Sequence, residues 1–541
     1  MSKTAYLDTF ANDNLPPCAL WPDLVFELDA LQYPGRLNCA VELLDLMVAS
    51  GHGSSIAIRS PSLTWTYTEL LAQVNRIAHV LRDDMNLATG NRVLLRGANN
   101  PMMAACVLAV WRAGCIAVPT MPLLRARELA TIIGLARVNA VLCAGNLREE
   151  LDLACAEAAA PPQILNFNDS AITALEQRMA SKPTHFEAVD TSAEDVCLLS
   201  FTSGTTGRPK GTMHFHRDVL AICDCFPRSI LHTTRDDIFI GTPPLAFTFG
   251  LGGLLLFPLR YGASTVLLEK LTPDALLAAI AAYRATVCFT APTFYRQMAP
   301  LAANHDLRSL TRTVSAGEAL PLETRSAWQR ATGLAMIDGI GATEMLHIFI
   351  SAAGDAIRPG ATGRPIPGYQ ACILDDAGHP VGPNVIGRLA VKGPTGCRYL
   401  ADPRQRDYVH QGWNLTGDAY LRDDDGYYWF QARTDDMIIS AGYNIAGPEV
   451  EDALLQHPSV AECAVVGAPD VERGQVVLAF VVLKSGATAD AATAKILQDH
   501  VKQAVAPYKY PRRIEFRTAL PRTETGKLQR FKLRQEASQL E

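Results

Sequence analysis

No stretch of the 541-residue chain is both long and apolar enough to cross a bilayer. The longest apolar run, Leu245 to Leu259, falls short of the about 20 residues a span requires and is broken by glycines and a proline. The first residues carry Asp8, Asp13 and Asp23 and lack a basic-then-apolar leader pattern, so a cytoplasmic enzyme with no membrane partner is expected. The 13 cysteines are scattered, without zinc-ribbon spacing, and Cys223-Asp224-Cys225 is too short for a two-cysteine metal knuckle. Positive charge is not in excess: the formal net charge is −6, which argues against general nucleic-acid binding. Internal repeats and low-complexity tracts are missing too. With 48% hydrophobic residues the chain can build a sizeable core, and its length calls for a large multi-layered body plus a further domain.

Strand-like and helix-like stretches alternate through most of the chain, which predicts an α/β fold. Pro273 to Tyr283 reads as a helix with proline in its first turn, and Thr286 to Phe289 as a buried strand. Thr311 to Ser315 reads as a strand ending in a turn at Ala316-Gly317. The polar stretch 181–194 reads as a surface connection before a strand from Val196 to Phe201. A boundary is expected near Asp435, giving a body over 1–434 and a small α+β C-terminal lid over 435–541. Within that lid, helices are expected at Pro448 to Leu455 and Ala491 to Val505, and strands at Ala461 to Val466, Gln475 to Leu483 and Arg513 to Phe516.

The segment Phe201-Thr-Ser-Gly-Thr-Thr-Gly-Arg-Pro-Lys-Gly211 carries the first chemical signal. Thr202, Ser203, Thr205 and Thr206 offer hydroxyls, Gly204 and Gly207 permit close backbone approach, and Lys210 supplies a point charge. Such a loop can wrap a polyphosphate. It is not a Walker loop, because Arg208 and Pro209 separate Gly207 from Lys210 and Gly211 follows the lysine. The string resembles the phosphate loop of the adenylate-forming superfamily: acyl-CoA synthetases, adenylation domains of peptide synthetases, and luciferases.

Further segments in the family's order extend the resemblance over residues from about 40 to 530. In Asp338-Gly-Ile-Gly-Ala-Thr-Glu344, the resemblance implies that Thr343 binds the α-phosphate, Glu344 holds Mg²⁺, and Asp338, Gly339 and Ile340 adjoin the adenine. Ile340 stands where many relatives have an aromatic residue. The loop Gly317, Glu318 and Ala319 is expected to line the adenine with backbone, and Asp418 and Arg433 to contact the ribose. Asp435 resembles the hinge of the lid. The segment Ser440, Ala441, Gly442 and Tyr443 resembles the lining of the pantetheine tunnel, where many relatives carry a lysine in place of Ile439. Lys527, after Thr-Gly near the C-terminus, resembles the catalytic lysine between carboxylate and α-phosphate, where an ammonium offsets the repulsion of two anions. ATP, Mg²⁺ and CoA are the implied cofactors.

The acid pocket is expected from Phe247, Thr248, Phe249, Gly341, His347 and Ile348. No aspartate stands in Pro243 to Gly252, which disfavours an α-amino acid. The stretch Thr343-Glu-Met-Leu-His-Ile-Phe-Ile350 resembles benzoate–CoA and 2-aminobenzoate–CoA ligases, and Leu15-Pro-Pro and Leu31 to Asn38 resemble the latter. The expected activity is therefore an aryl acid–CoA ligase, with 2-aminobenzoate ahead of benzoate. A medium-chain fatty acyl–CoA ligase, an adenylation enzyme loading a separate carrier protein, and a non-catalytic adenylate binder stay open as alternatives. Monomer and homodimer both remain possible states.

Overall fold

The computed structural model describes residues 3–156, 160–202, 209–433, 436–440, 443–470, 473–505, 507–522 and 528–540. Two sheets dominate. The first runs in the order Gln163–Phe167, Ala140–Ala144, Arg92–Arg96, Ile116–Thr120, Val196–Thr202 and Lys210–Phe215. All its neighbours are parallel except the last pair, which form an antiparallel hairpin. The second sheet has a parallel centre, Met336–Gly341, Arg312–Ser315, Val287–Thr290, Ile238–Gly241, Ser264–Val266 and Ile56–Arg59, with antiparallel strands at both edges.

Strands such as Val-Cys-Phe-Thr at 287–290 and Ala-Val-Leu-Cys-Ala at 140–144 are apolar throughout because both sheet faces are covered. Alternation assigns the faces. Val93 and Leu95 join Val287, Phe289 and Val314 of the other sheet in one core, built around the helices Tyr67–His79, Pro101–Arg112 and His216–Phe226. Leu94, Val141 and Cys143 point outward, toward the helix Ala126–Ala136. On the far side, Ile240, Cys288 and Met336 pack beneath the helices Pro273–Tyr283, Pro292–Met298 and Leu322–Thr332. The body is thus helices, sheet, helices, sheet, helices. Local caps agree with it: Thr66 and Glu69 close a capping box, and Thr272 and Asn100 cap helices that open with proline.

An antiparallel sheet over residues 370–433 follows. The smaller C-terminal unit holds a sheet of Val460–Asp470, Gly474–Leu483 and Arg513–Arg517, with helices Gly447–Leu455, Ala491–Ala504 and Arg530–Ala537. The helix expected from Pro273 to Tyr283 has those limits, and the other expected elements lie within one or two residues of the observed ones except at Val460–Asp470. That strand runs on through Gly-Ala-Pro-Asp because its hairpin partner keeps pairing to Gly474. The hairpin Ile438–Ser440 with Tyr443–Ile445, and the last helix, were not expected. Among the described residues no helix is long and apolar enough to cross a membrane.

Candidate functional site

Several of the expected residues lie at or follow the carboxyl ends of strands in the second sheet, namely Phe247 to Phe249, Gly317 to Ala319 and Asp338 to Gly341, as the crevice rule for open α/β sheets leads one to expect; Thr202 and Lys210 come from the first sheet, and Asp418 and Arg433 from the antiparallel sheet. Ser315 pairs with Asp338, so the turn leaving one strand lies beside the end of the next. Gly317 takes φ +90°, which a side chain would strain. The Thr293 hydroxyl donates to Glu318 at 2.7 Å and ties this turn to the earlier helix Pro292–Met298. Asp338 is half-buried, and loss of water pushes its carboxyl up to about 7 against the opposing charge of Arg325. Gly339 leaves room for Ile348, since a Cβ there would come within 2.8 Å of that side chain.

Thr202 and Lys210 pair across the mouth of the hairpin whose strands flank the loop expected to bind phosphate. Ser203, Gly204, Thr205 and Thr206 lie outside the described residues. The Lys210 Nζ lies 3.4 Å from the hydroxyl of Tyr399, and that hydroxyl donates to Glu344 Oε1 at 2.5 Å. Burial, reinforced by Glu344, raises the Tyr399 phenol far above its ordinary range, so it stays a donor. Backbone pairing to the strand holds Tyr399 in place: Met213 N donates to Arg398 O, and Leu400 N to Gly211 O, both at 2.8 Å. Beneath it, Arg398 and Asp218 form a fully buried ion pair at 2.8 Å. His214 Nε2 donates to the Thr343 carbonyl at 2.9 Å and so supports Thr343-Glu344 from below. Burial lowers its pKa to about 4, which keeps the ring neutral.

Asp418 and Arg433 are cross-strand partners joined by an ion pair of 2.9 Å. Gly417 permits it: φ is +77°, and a Cβ there would sit 2.9 Å from Arg433 Nη2. Burial raises the Asp418 pKa, Glu344 adds to the rise, and Arg433 opposes it. Buried Tyr420 feels both Asp418 and Asp338, so the three carboxylates share one region.

His347 is 2% exposed and ringed by aromatics. Its centroid lies 4.5 Å from Phe257, 5.6 Å from Phe226, 5.8 Å from Phe249 and 6.4 Å from Phe289. Among the described residues neither ring nitrogen has a partner of good hydrogen-bond geometry. Burial lowers its pKa to about 3, and the nearby Phe249 backbone offsets this only in part. Leu346, fully buried, holds φ +69° and sets the direction from which His347 enters. Phe249 and Thr248 are half-buried at the start of the helix Thr248–Leu251, and Ile348 is buried on the following strand beside Gly341. Phe247 is also half-buried, but its ring joins none of these aromatic contacts.

Ser440 is buried in the hairpin of the smaller unit, while Ile439 is 55% exposed. Lys527, Asp435, Ala441 and Gly442 lie outside the described residues, and of Tyr443 only the backbone is described, paired with Ser440. Sequence reasoning missed Tyr399, His214 and Arg398. Arg398 and Tyr399 follow Gly-Pro-Thr-Gly-Cys and carry no motif of their own, and His214 is a lone histidine in the strand Lys210–Phe215. An open cleft of about 730 Å³ lined by His52, Arg235 and Ser264 lies at the opposite strand ends, away from this constellation.

The assembled donors suit a nucleotide next to an anionic substrate: a lysine, a hard carboxylate at Glu344, and an Asp–Arg pair beside a half-buried Asp338. Comparison with known proteins agrees. The AMP-binding enzyme family matches residues 47–399, and the AMP-binding enzyme C-terminal domain matches 449–527. The benzoate–CoA ligase of Thauera aromatica is 34% identical over 514 residues, covering 93% of this chain and 97% of that protein. The crystal structure of the anthranilate CoA ligase AuaEII in complex with anthranoyl-AMP superposes with a TM-score of 0.90 at 34% identity, covering 95% of this chain and 99% of that one. A benzoate CoA ligase from Burkholderia xenovorans superposes at 0.84 with 32% identity, covering 92% and 100%. The chain belongs to the AMP-binding enzyme family of the adenylate-forming superfamily and is an acid–thiol ligase of the AMP-forming kind.

Proposed function

We propose that the chain is an ATP-dependent aryl acid–CoA ligase whose preferred acid is 2-aminobenzoate, with benzoate as a usable second substrate. The observation that carries this reading is the neutral imidazole of His347 among four phenyl rings, three residues after Glu344 in the chain, with neither ring nitrogen in a well-formed hydrogen bond among the described residues. Phenyl rings offer faces and edges to a flat aryl group. A neutral imidazole can exchange a hydrogen bond with an ortho amine, which needs no acidic partner. Similarity to the anthranoyl-AMP-bound structure supports the same choice.

In the first half-reaction the acid's carboxylate oxygen attacks the α-phosphorus of ATP and pyrophosphate leaves. Lys210 and Thr343 bind phosphate oxygens, and Lys527 bridges the two anions. Asp418 and Arg433 hold the ribose, Asp338 meets the adenine, and the turn at Gly317 to Ala319 lines it. Glu344 presents the hard anionic oxygen that Mg²⁺ prefers, so it would hold that ion, which supplies charge neutralisation between the phosphates. In the second half-reaction the CoA thiol, reaching the site past Ser440 to Tyr443, attacks the acyl carbon and AMP leaves. A body over 1–434 and a lid over 435–541 turning about Asp435 would present Lys527 to the first step and the tunnel to the second.

The test is an ATP- and CoA-dependent assay over benzoates, aminobenzoates and fatty acids. A higher kcat/KM for 2-aminobenzoate and benzoate than for octanoate is expected, because extra methylenes overpack a filled slot. Octanoate outperforming every aryl acid would refute the substrate reading.

A further inference from the structure

We infer that Tyr399 is a positioning residue that sets the orientation of the Glu344 carboxylate and links it to Lys210, so that cation and phosphate binding depend on one buried phenol. The inference rests on the ligase reading for the role of Glu344, and on geometry for the rest.

The terminal torsion of a glutamate is broad, so rotamer preference alone does not aim a carboxylate. Here the aim comes from the Tyr399 hydroxyl, which donates to Glu344 Oε1 at 2.5 Å. A short bond from a neutral phenol to a charged acceptor is among the stronger kinds. The Tyr399 phenol oxygen also lies 3.4 Å from Lys210 Nζ, which sits 5.0 Å above the Tyr399 ring. The proton order follows from the donor inventory: the ammonium donates to the phenol oxygen and the phenol proton goes to the carboxylate.

The phenol itself cannot wander. Tyr399 is fully buried, its backbone N–H donates to Gln405 Oε1 at 2.9 Å, and it pairs with Thr212 on the strand that begins at Lys210. The Arg398–Asp218 pair immobilises the preceding residue, with the guanidinium 4.0 Å over the Phe215 ring. A rigid strand pair therefore carries the lysine on one side and the phenol on the other, and the carboxylate is hung from the phenol. Residues from three separate segments, 210, 344 and 399, meet at a single hydroxyl.

The experiment uses the full-length protein saturated with a non-reacting α,β-methylene analogue of ATP, titrated with Mn²⁺ and followed by electron paramagnetic resonance. Tyr399→Phe keeps the ring and removes the hydroxyl. Its Mn²⁺ dissociation constant is expected to rise about tenfold, equivalent to ~1.4 kcal/mol. Tyr408→Phe is the control. It removes a neighbouring buried hydroxyl that has no hydrogen-bond partner among the described residues, 5.7 Å away between ring centroids, and should leave the constant unchanged. In a Glu344→Gln background, Tyr399→Phe should add little further loss, because its effect acts through that carboxylate. Thermal melting checks that each variant folds. An unchanged constant in Tyr399→Phe, an equal rise in Tyr408→Phe, or full additivity with Glu344→Gln overturns the inference. Acid-dependent pyrophosphate exchange by the wild type tests the ligase reading separately, so failure of that reading is distinguishable from failure of the role given to Tyr399.

Discussion

Consider replacing His347 by leucine, which keeps volume in the aromatic box and removes the titrating ring. In the unfolded chain the imidazole has its ordinary pKa of 6.5, and in the fold burial lowers it to about 3. A depressed value fixes the sign. The folded state bears no penalty from this group above pH 6.5, and loses stability as pH falls below 6.5 toward 3, where the unfolded chain binds the extra proton. At pH 5, a unit and a half below the ordinary value, the loss is about 2 kcal/mol at ~1.36 kcal/mol per unit. The leucine variant cannot suffer it. Its stability relative to wild type should therefore improve by about 2 kcal/mol between pH 8 and pH 5. Other titrating groups, including His214 and Asp338, are common to both proteins and cancel in the difference. Urea unfolding followed by tryptophan fluorescence at the two pH values measures it. A stability difference that stays constant with pH would show that His347 is not a neutral buried ring. The same variant bears on specificity. A neutral hydrogen bond contributes about 0.5–1.5 kcal/mol, so the preference for 2-aminobenzoate over benzoate should shrink by a factor of about 2 to 12. Retention of the full preference in His347→Leu would remove the imidazole from the pocket.

Lys527→Ala should slow adenylation by about 10²–10³ while leaving CoA transfer from supplied acyl-adenylate largely intact, and equal loss in both half-reactions would count against an alternating lid. Asp435→Pro should do the reverse, because proline fixes φ at a residue that must adopt two backbone states; a wild-type overall rate would exclude it as the hinge. Arg398→Met leaves Asp218 buried without its partner, both side chains being 0% exposed, and should cost about 3–5 kcal/mol in chemical denaturation. Arg398→Met with Asp218→Leu should recover most of that stability, and a double variant as unstable as the single one contradicts the assignment.

Much of this protein could be read without coordinates because its chemistry is local in the chain. The loop 201–211 gathers glycines, hydroxyls and a lysine within one short segment, and Thr343-Glu344 is legible through the string 338–344 in which it stands. The helix from Pro273 to Tyr283 is bounded by a threonine cap and a proline at its first turn, both adjacent in sequence. Asp418 and Arg433 were each legible singly, while their pairing at 2.9 Å came from strand register. Other features depend on long-range contacts. Tyr399 carries no motif, and acquires a role only because the segment 398–400 pairs with a strand nearly 190 residues earlier. Phe226, Phe257 and Phe289 read as ordinary core residues, and only the packing of helices between two sheets brings them around His347. Phe247 and Phe249 look equivalent in sequence, yet only Phe249 reaches that box, since the helix starting at Thr248 turns them apart. The ionisation of His347 was undecidable from its letter, because the shift comes from exclusion of water by side chains scattered along the chain. Sequence thus carried the family membership and the order of the segments. Tertiary structure decided which rings enclose the imidazole and which hydroxyl aims the carboxylate, because burial and register join residues that the chain keeps far apart.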